Sequence, residues 1–157
     1  MGLELLPVLV AGVLAGLAMF VAQSAIGSGS GAPAFVVGYW SGLLELRGGA
    51  ATIGGFVVHL LVSVGIAAIY ALAFSLGAVA DAGWAWGFLG GVIHWVAAGA
   101  FVGLVPAAAA ARAPGPFGRQ LGQNGALAFL ASHLVFGLVV GSVYLLLHSA
   151  GGLDAAV

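Results

Sequence analysis

Four apolar runs, at roughly 5–26, 50–76, 84–105 and 124–148, leave this chain almost nothing with which to face water. Each is long enough to cross a bilayer as a helix, since a hydrocarbon core of ~30 Å takes about 20 residues. Three arginines and four acidic residues are the only formal charges among 157 residues. That is too few to clothe a soluble domain, so the solvent and first partner of the chain is the lipid bilayer. The runs lack the alternation and short units of barrel strands, and backbone groups in lipid must bond within their own segment. The expected fold is therefore an all-α integral membrane protein, a four-transmembrane-helix bundle forming a single membrane domain over 1–157.

The breaks between the runs are made of turn-forming residues. Gly27-Ser28-Gly29-Ser30-Gly31-Ala32-Pro33 ends the first, Asp81 marks the second break, and Pro106 with Arg112-Ala113-Pro114-Gly115-Pro116 closes the third. The first run has small residues at Ala22-Gln23-Ser24-Ala25, but Glu4 and no basic residue precede it, so it reads as a retained span and not a signal peptide. Phe35 to Leu46, followed by Arg47 and carrying Tyr39 and Trp40, reads as a short interfacial helix with its rings at headgroup level. Arg47 lies in the first connection and Arg112 and Arg119 in the third, whereas both ends and the second connection hold only acids. The positive-inside bias then predicts cytoplasmic first and third connections and both termini outside.

The inventory excludes several functions. A formal charge of −1 with no lysine offers no basic surface for nucleic acid. The absence of cysteine removes disulfides, thiolate metal sites, Fe–S clusters and covalently attached haem. Ser132 and His133 are sequence neighbours that diverge on a helix, and no acid lies at their depth, so a hydrolytic triad fails. The glycine-serine run at 27–31 lacks the lysine of a phosphate loop. No catalytic constellation stands on its own, and the chain leans away from being an enzyme.

An internal repeat gives the bundle its expected symmetry. Residues 12–25 set over 87–100 agree at six of fourteen positions, and His59, Leu60, Tyr70 and Leu72 recur 74 residues later as His133, Leu134, Tyr144 and Leu146. Repeat 1 covers about 5–76 and repeat 2 about 84–149. Two tandem hairpins of equal orientation imply a pseudo-two-fold axis along the membrane normal. Each repeat carries a one-sided stripe: His59, Ser63, Ala67, Tyr70 and Phe74 in the first, and His133, Gly137, Gly141, Tyr144 and His148 in the second. The paired glycines Gly12/Gly16, Gly87/Gly91, Gly99/Gly103 and Gly137/Gly141 predict close helix crossings. Tyr70, Tyr144 and His148 fall toward the outer boundary, where interface anchoring accounts for them.

His59 and His133 lie nine residues from the cytoplasmic starts of their runs, or ~14 Å, and His94 is ~15 Å from the outer end of an antiparallel run. Met19 occupies the position matching His94 in the first repeat. Polar groups at the midplane are costly and turn inward, which makes the histidine cluster a candidate site. One reading is a haem b with His59 and His133 as axial ligands and Arg47, Arg112 and Arg119 near its propionates. The second is a metal site, His59, His94 and His133 with Met19, suited to copper as Cu(I). Either implies a small accessory or electron-transfer subunit of a larger redox complex, with other membrane subunits or a homo-oligomer as partners. The alternative is a structural subunit or small permeation protein whose histidines tie helices together through Ser63, Ser132, Gln23 or backbone carbonyls.

Overall fold

The computed structural model describes residues 4–28, 35–77, 83–105 and 114–154. Five helices follow one another: α1 (Leu5–Gly27), α2 (Phe35–Leu43), α3 (Gly49–Leu76), α4 (Gly83–Leu104) and α5 (Gly122–Asp154), with a 3-10 segment, Pro116–Leu121, leading into α5. Among the described residues there is no strand. α1, α3, α4 and α5 are each long and apolar enough to cross a membrane, so the chain is a multi-pass membrane protein. The breaks occur where the backbone needs glycine. Gly48 (φ 59°) turns the chain from α2 into α3, and Gly122 (φ 76°) turns it into α5.

α5 is the central helix. It packs closely against α1 and against α4, and α3 packs on α1 and only lightly touches α5. Round the bundle the order is α3, α1, α5, α4, with α3 and α4 facing each other across a gap. Much of the exposed apolar surface lies on α3 and α4, with Ile53, Leu61, Ile69 and Leu76 on α3 and Trp84, Ile93 and Leu104 on α4 all more than half exposed, and α1 adds Leu5, Leu6 and Val21. The inward face of α3 is the predicted stripe, His59, Ser63, Ala67, Tyr70 and Phe74, all buried. On α5, His133, Gly137, Gly141 and Tyr144 are buried and His148 is half-buried.

Two seams hold the hairpins, both built on glycine. In the first, a Cβ on Gly12 would lie 2.6 Å from the Val64 Cα, and one on Gly16 would crowd Ser63 and Leu60. In the second, Gly83, Gly87 and Gly91 meet Gly137, Gly141 and the His133 carbonyl almost backbone to backbone. Helices in lipid gain no hydrophobic drive toward one another, and close approach supplies the packing instead. The Gly16–Leu60 contact has its counterpart in Gly91–Leu134, residues matched by the repeat offsets. Between the hairpins the packing is one-sided: α1 lies along α5, whereas α3 and α4 diverge.

Three expectations are corrected. Gly99 and Gly103 do not receive a helix; they receive the Phe117 ring and Pro116 of the 3-10 segment, where Phe117 (φ 56°) folds back onto α4. Tyr70 and Tyr144 are not surface anchors, because both rings are buried in the main core with Phe74, Phe136 and Val140. α2 is shorter than the stretch expected, and its Phe35 and Tyr39 rings turn into the bundle while Trp40 is half-buried. Phe35, Val37, Tyr39 and Ser41 are buried, and the Ser41 hydroxyl sits between the carbonyls of Val37 and Ala51. The Tyr39 hydroxyl donates to the Val105 carbonyl at 2.7 Å, and Phe35 stacks on Phe129 at 6.0 Å. α2 thus joins α3, the end of α4 and α5 into a roof at the Arg47 and Arg119 end of the bundle. At the other end Glu4 and His148 approach to 3.2 Å, tying the start of α1 to the end of α5.

Candidate functional site

Beneath this roof is a cavity of about 80 Å³, lined deep in the bundle by Met19, Gln23, His59, Ser63, His94 and His133, and nearer the roof by Phe35, Tyr39 and Trp40. All three candidate histidines and Met19 therefore border one space. Their positions follow from helix phase: Met19 faces inward from α1, His59 begins the buried stripe of α3, and His133 lies on the inward face of α5. His94 is half-buried, at the edge of α4 that turns toward α3.

The three imidazoles are bonded differently. His59 donates its Nε2–H to the Gly16 carbonyl of α1 at 2.9 Å, because a carbonyl can only accept, and this leaves Nδ1 as its lone-pair nitrogen. His133 donates Nδ1–H to the Phe129 carbonyl one turn earlier in its own helix, at 2.5 Å, leaving Nε2 with the lone pair. His94 has a buried Nδ1 with no hydrogen-bond partner among the described residues. His133 and His94 stand edge to face with ring centroids 4.7 Å apart, and Phe136 packs on His94 at 5.1 Å. A carbonyl that fixes one ring nitrogen and frees the other is the usual outer support of a metal-ligating histidine.

The polar side chains around them are otherwise engaged. Ser63 donates to the His59 carbonyl and Ser132 to the Phe129 carbonyl. Gln23 is fully buried; its amide donates to the Ser132 hydroxyl at 3.3 Å and accepts from the Val36 N–H at 3.3 Å. None of these three bonds a histidine ring. Gln23 is instead the post that ties α1, α2 and α5 together below the roof. The sequence offers Gln23 as a hydrogen-bond partner for a histidine; its partners are instead Ser132 and Val36.

Not every candidate converges. Among the described residues no group of three histidine or acidic side chains is placed to hold a metal ion, and His59 is drawn toward α1 by its bond to Gly16. Arg47 and Arg119 are exposed and do not border the cavity; Arg112 lies outside the described residues. Trp95, next to His94 in the chain, packs on Phe117 at 5.0 Å. No protein-family model, curated protein or solved structure matches the chain.

Proposed function

We propose that this chain is a small accessory or electron-transfer subunit of a membrane redox assembly, holding one copper ion as Cu(I) between His94 and His133 with Met19 as a soft third ligand. The observation that carries this reading is the His94–His133 pair: two imidazoles at a ring separation of 4.7 Å on the wall of a cavity that Met19 also borders. His133 has its Nδ1 proton committed to a carbonyl and His94 has an unpartnered nitrogen. Imidazole and thioether together suit Cu(I) better than harder divalent ions. The site has no carboxylate, which disfavours hydrolytic zinc chemistry.

Geometry favours copper over haem b. A space of about 80 Å³ takes an ion with a few small ligands, at roughly 10–15 Å³ for each water-sized occupant. A macrocycle needs several times that, and neither Arg47 nor Arg119 stands by the cavity to meet a propionate. His59 is better read as a tie between α3 and α1 than as a ligand. Its bond to Gly16 also supports a second reading, in which the histidines are wholly structural. In either case the Arg47 and Arg119 end is the cytoplasmic one, and electrons would be exchanged with a neighbouring subunit or a second copy.

The test is a Cu(I) competition titration against a coloured chelator on detergent-purified protein, with elemental analysis and a reduced-minus-oxidised spectrum. One copper per chain, lost in His94→Ala and His133→Ala, is expected. Folded protein without stoichiometric copper and without a Soret band would overturn the redox reading in favour of the structural one.

A further inference from the structure

We propose that the lateral groove between α3 and α4 binds a neutral lipophilic quinone, with the Tyr70 hydroxyl donating to a ring carbonyl and His94 as the second polar contact. This site goes beyond the copper reading and stands without it; both draw on the His94 Nδ1 atom, so copper and quinone would exclude each other there.

The groove exists because α3 and α4 diverge while α1 and α5 pack. It measures about 430 Å³, within the range of small-molecule sites. Tyr70, Phe74 and Trp86 form its aromatic walls, and Gly90, which has no side chain, lies against the Tyr70 ring. Ile93 stands on the lipid side, 62% exposed. A flat ring is the shape these surfaces admit.

Polar atoms decide the ligand's chemistry. Tyr70 is only 7% exposed, and its hydroxyl and the His94 Nδ1 are buried without partners among the described residues. The two rings are neighbours, with centroids 6.4 Å apart. Unmet polar groups inside a membrane are costly, so an occupant that bonds them is favoured. An acyl chain has no atom to offer. A lone water needs two to four polar partners, and the rest of this lining is almost wholly apolar. His94 lies eleven residues into α4, ~16 Å from its end by helical rise, near the centre of a core ~30 Å thick. Phospholipid headgroups and esters do not reach that depth. A quinone does: it is uncharged, flat, carries strong carbonyl acceptors and dissolves in the bilayer from which this groove opens. His94 borders both the groove and the inner cavity, so a bound quinone would touch the same ring that faces His133.

The experiment uses copper-free full-length protein in nanodiscs of saturated phosphatidylcholine, titrated with decylubiquinone while tryptophan fluorescence is recorded. Saturable quenching is expected, with most of its amplitude lost in Trp86→Phe. Tyr70→Phe should weaken binding about fivefold or more, the effect of one hydrogen bond. Ile93→Phe, a bulkier side chain on the lipid-facing rim that leaves the core intact and adds no fluorophore, should weaken it strongly. Quenching that rises linearly with quinone content and is unchanged in Tyr70→Phe and Ile93→Phe would overturn the proposal. So would quenching of Trp86 by bromine-labelled phospholipid that decylubiquinone fails to relieve, since the groove would then hold acyl chain. Because the protein is copper-free, neither result bears on the copper titration.

Discussion

The His133 imidazole meets the His94 ring at a centroid separation of 4.7 Å and an interplanar angle of 77°, while His59, its partner by sequence repeat, is bonded to the Gly16 carbonyl. Two histidines matched by the sequence offset thus bond differently. The reason lies in what each ring reaches. His59 finds a carbonyl across the α1–α3 seam. At the matching seam the glycine contacts are so close that the His133 backbone itself abuts Gly91, with a Cβ there falling 2.8 Å from the His133 carbonyl oxygen. The His133 ring turns instead to Phe129 and the cavity.

This asymmetry predicts unlike phenotypes for equivalent substitutions. His133→Ala and His94→Ala are expected to abolish Cu(I) binding. His59→Ala should retain it within a few-fold but lower stability by about 2 kcal/mol or more, through a buried cavity and a lost interhelical bond. Chelator competition and thermal unfolding on the same three samples separate the two effects. Equal loss of copper in all three would restore a symmetric site and refute the division of roles.

The glycines divide just as sharply. Gly87 meets Gly137 and Gly141 backbone to backbone, whereas nothing lies within 4 Å of a Cβ on Gly65. Gly87→Ala should therefore destabilise by about 1–3 kcal/mol, the usual cost of overpacking. Gly65→Ala should be neutral or stabilising by up to about 1 kcal/mol, because it removes a flexible residue from an exposed helix interior. Unfolding in detergent compares them directly; a larger loss for Gly65→Ala than for Gly87→Ala would contradict the seam.

The spans and the inward stripes were legible because lipid leaves so few options. An apolar run must be a helix, and small or polar residues recurring on one side of it must face protein. The bounds of α1, α3 and α4 to within a residue, and the buried set His59, Ser63, Ala67, Tyr70 and Phe74, follow from that, whereas α5 runs on to Asp154. Partner identity did not follow. Gly99 and Gly103 have the spacing of a helix seam, but a helix and a folded-back Phe117 ring make the same demand for a missing Cβ. Counting residues from the histidines puts Tyr70 and Tyr144 toward the outer boundary, yet both rings face the core, Tyr70 beside His94. Tyr39 and Trp40 have anchor composition, but Ser41 and the close approach of α2 to Gly55 pull that helix onto α3. Repeat matching pairs His59 with His133 but does not specify which ring nitrogen each spends.

Gln23 offers a test of the roof. Its amide holds Ser132 on α5 and the Val36 N–H at the start of α2. Gln23→Leu keeps the volume and removes both bonds, at an expected cost of about 1 kcal/mol in a bilayer setting. The local effect should be larger than the global one: the Val36 amide loses its acceptor and should exchange hydrogen faster, while amides in the middle of α5 stay protected. Uniform acceleration across all helices would mean that Gln23 supports the whole bundle and not the seating of α2.

Tyr39 makes the same roof sensitive to alkaline pH. Its phenol is buried and donates to the Val105 carbonyl at 2.7 Å, and burial raises its pKa above the ordinary phenol value of about 10. The folded state therefore holds the proton more tightly than the unfolded chain. The resulting stability is fully present below pH ~10 and is lost as pH rises beyond it toward the raised folded value, because the unfolded chain ionises first. In Tyr39→Phe the ring still fills its place against Phe101 and Trp40, but there is no proton to lose. The variant should be modestly less stable at pH 7, by about 1 kcal/mol for one hydrogen bond, and should show a shallower decline in melting temperature between pH 9 and pH 11. Parallel declines in the two proteins over that interval would remove Tyr39 as the source of the alkaline sensitivity.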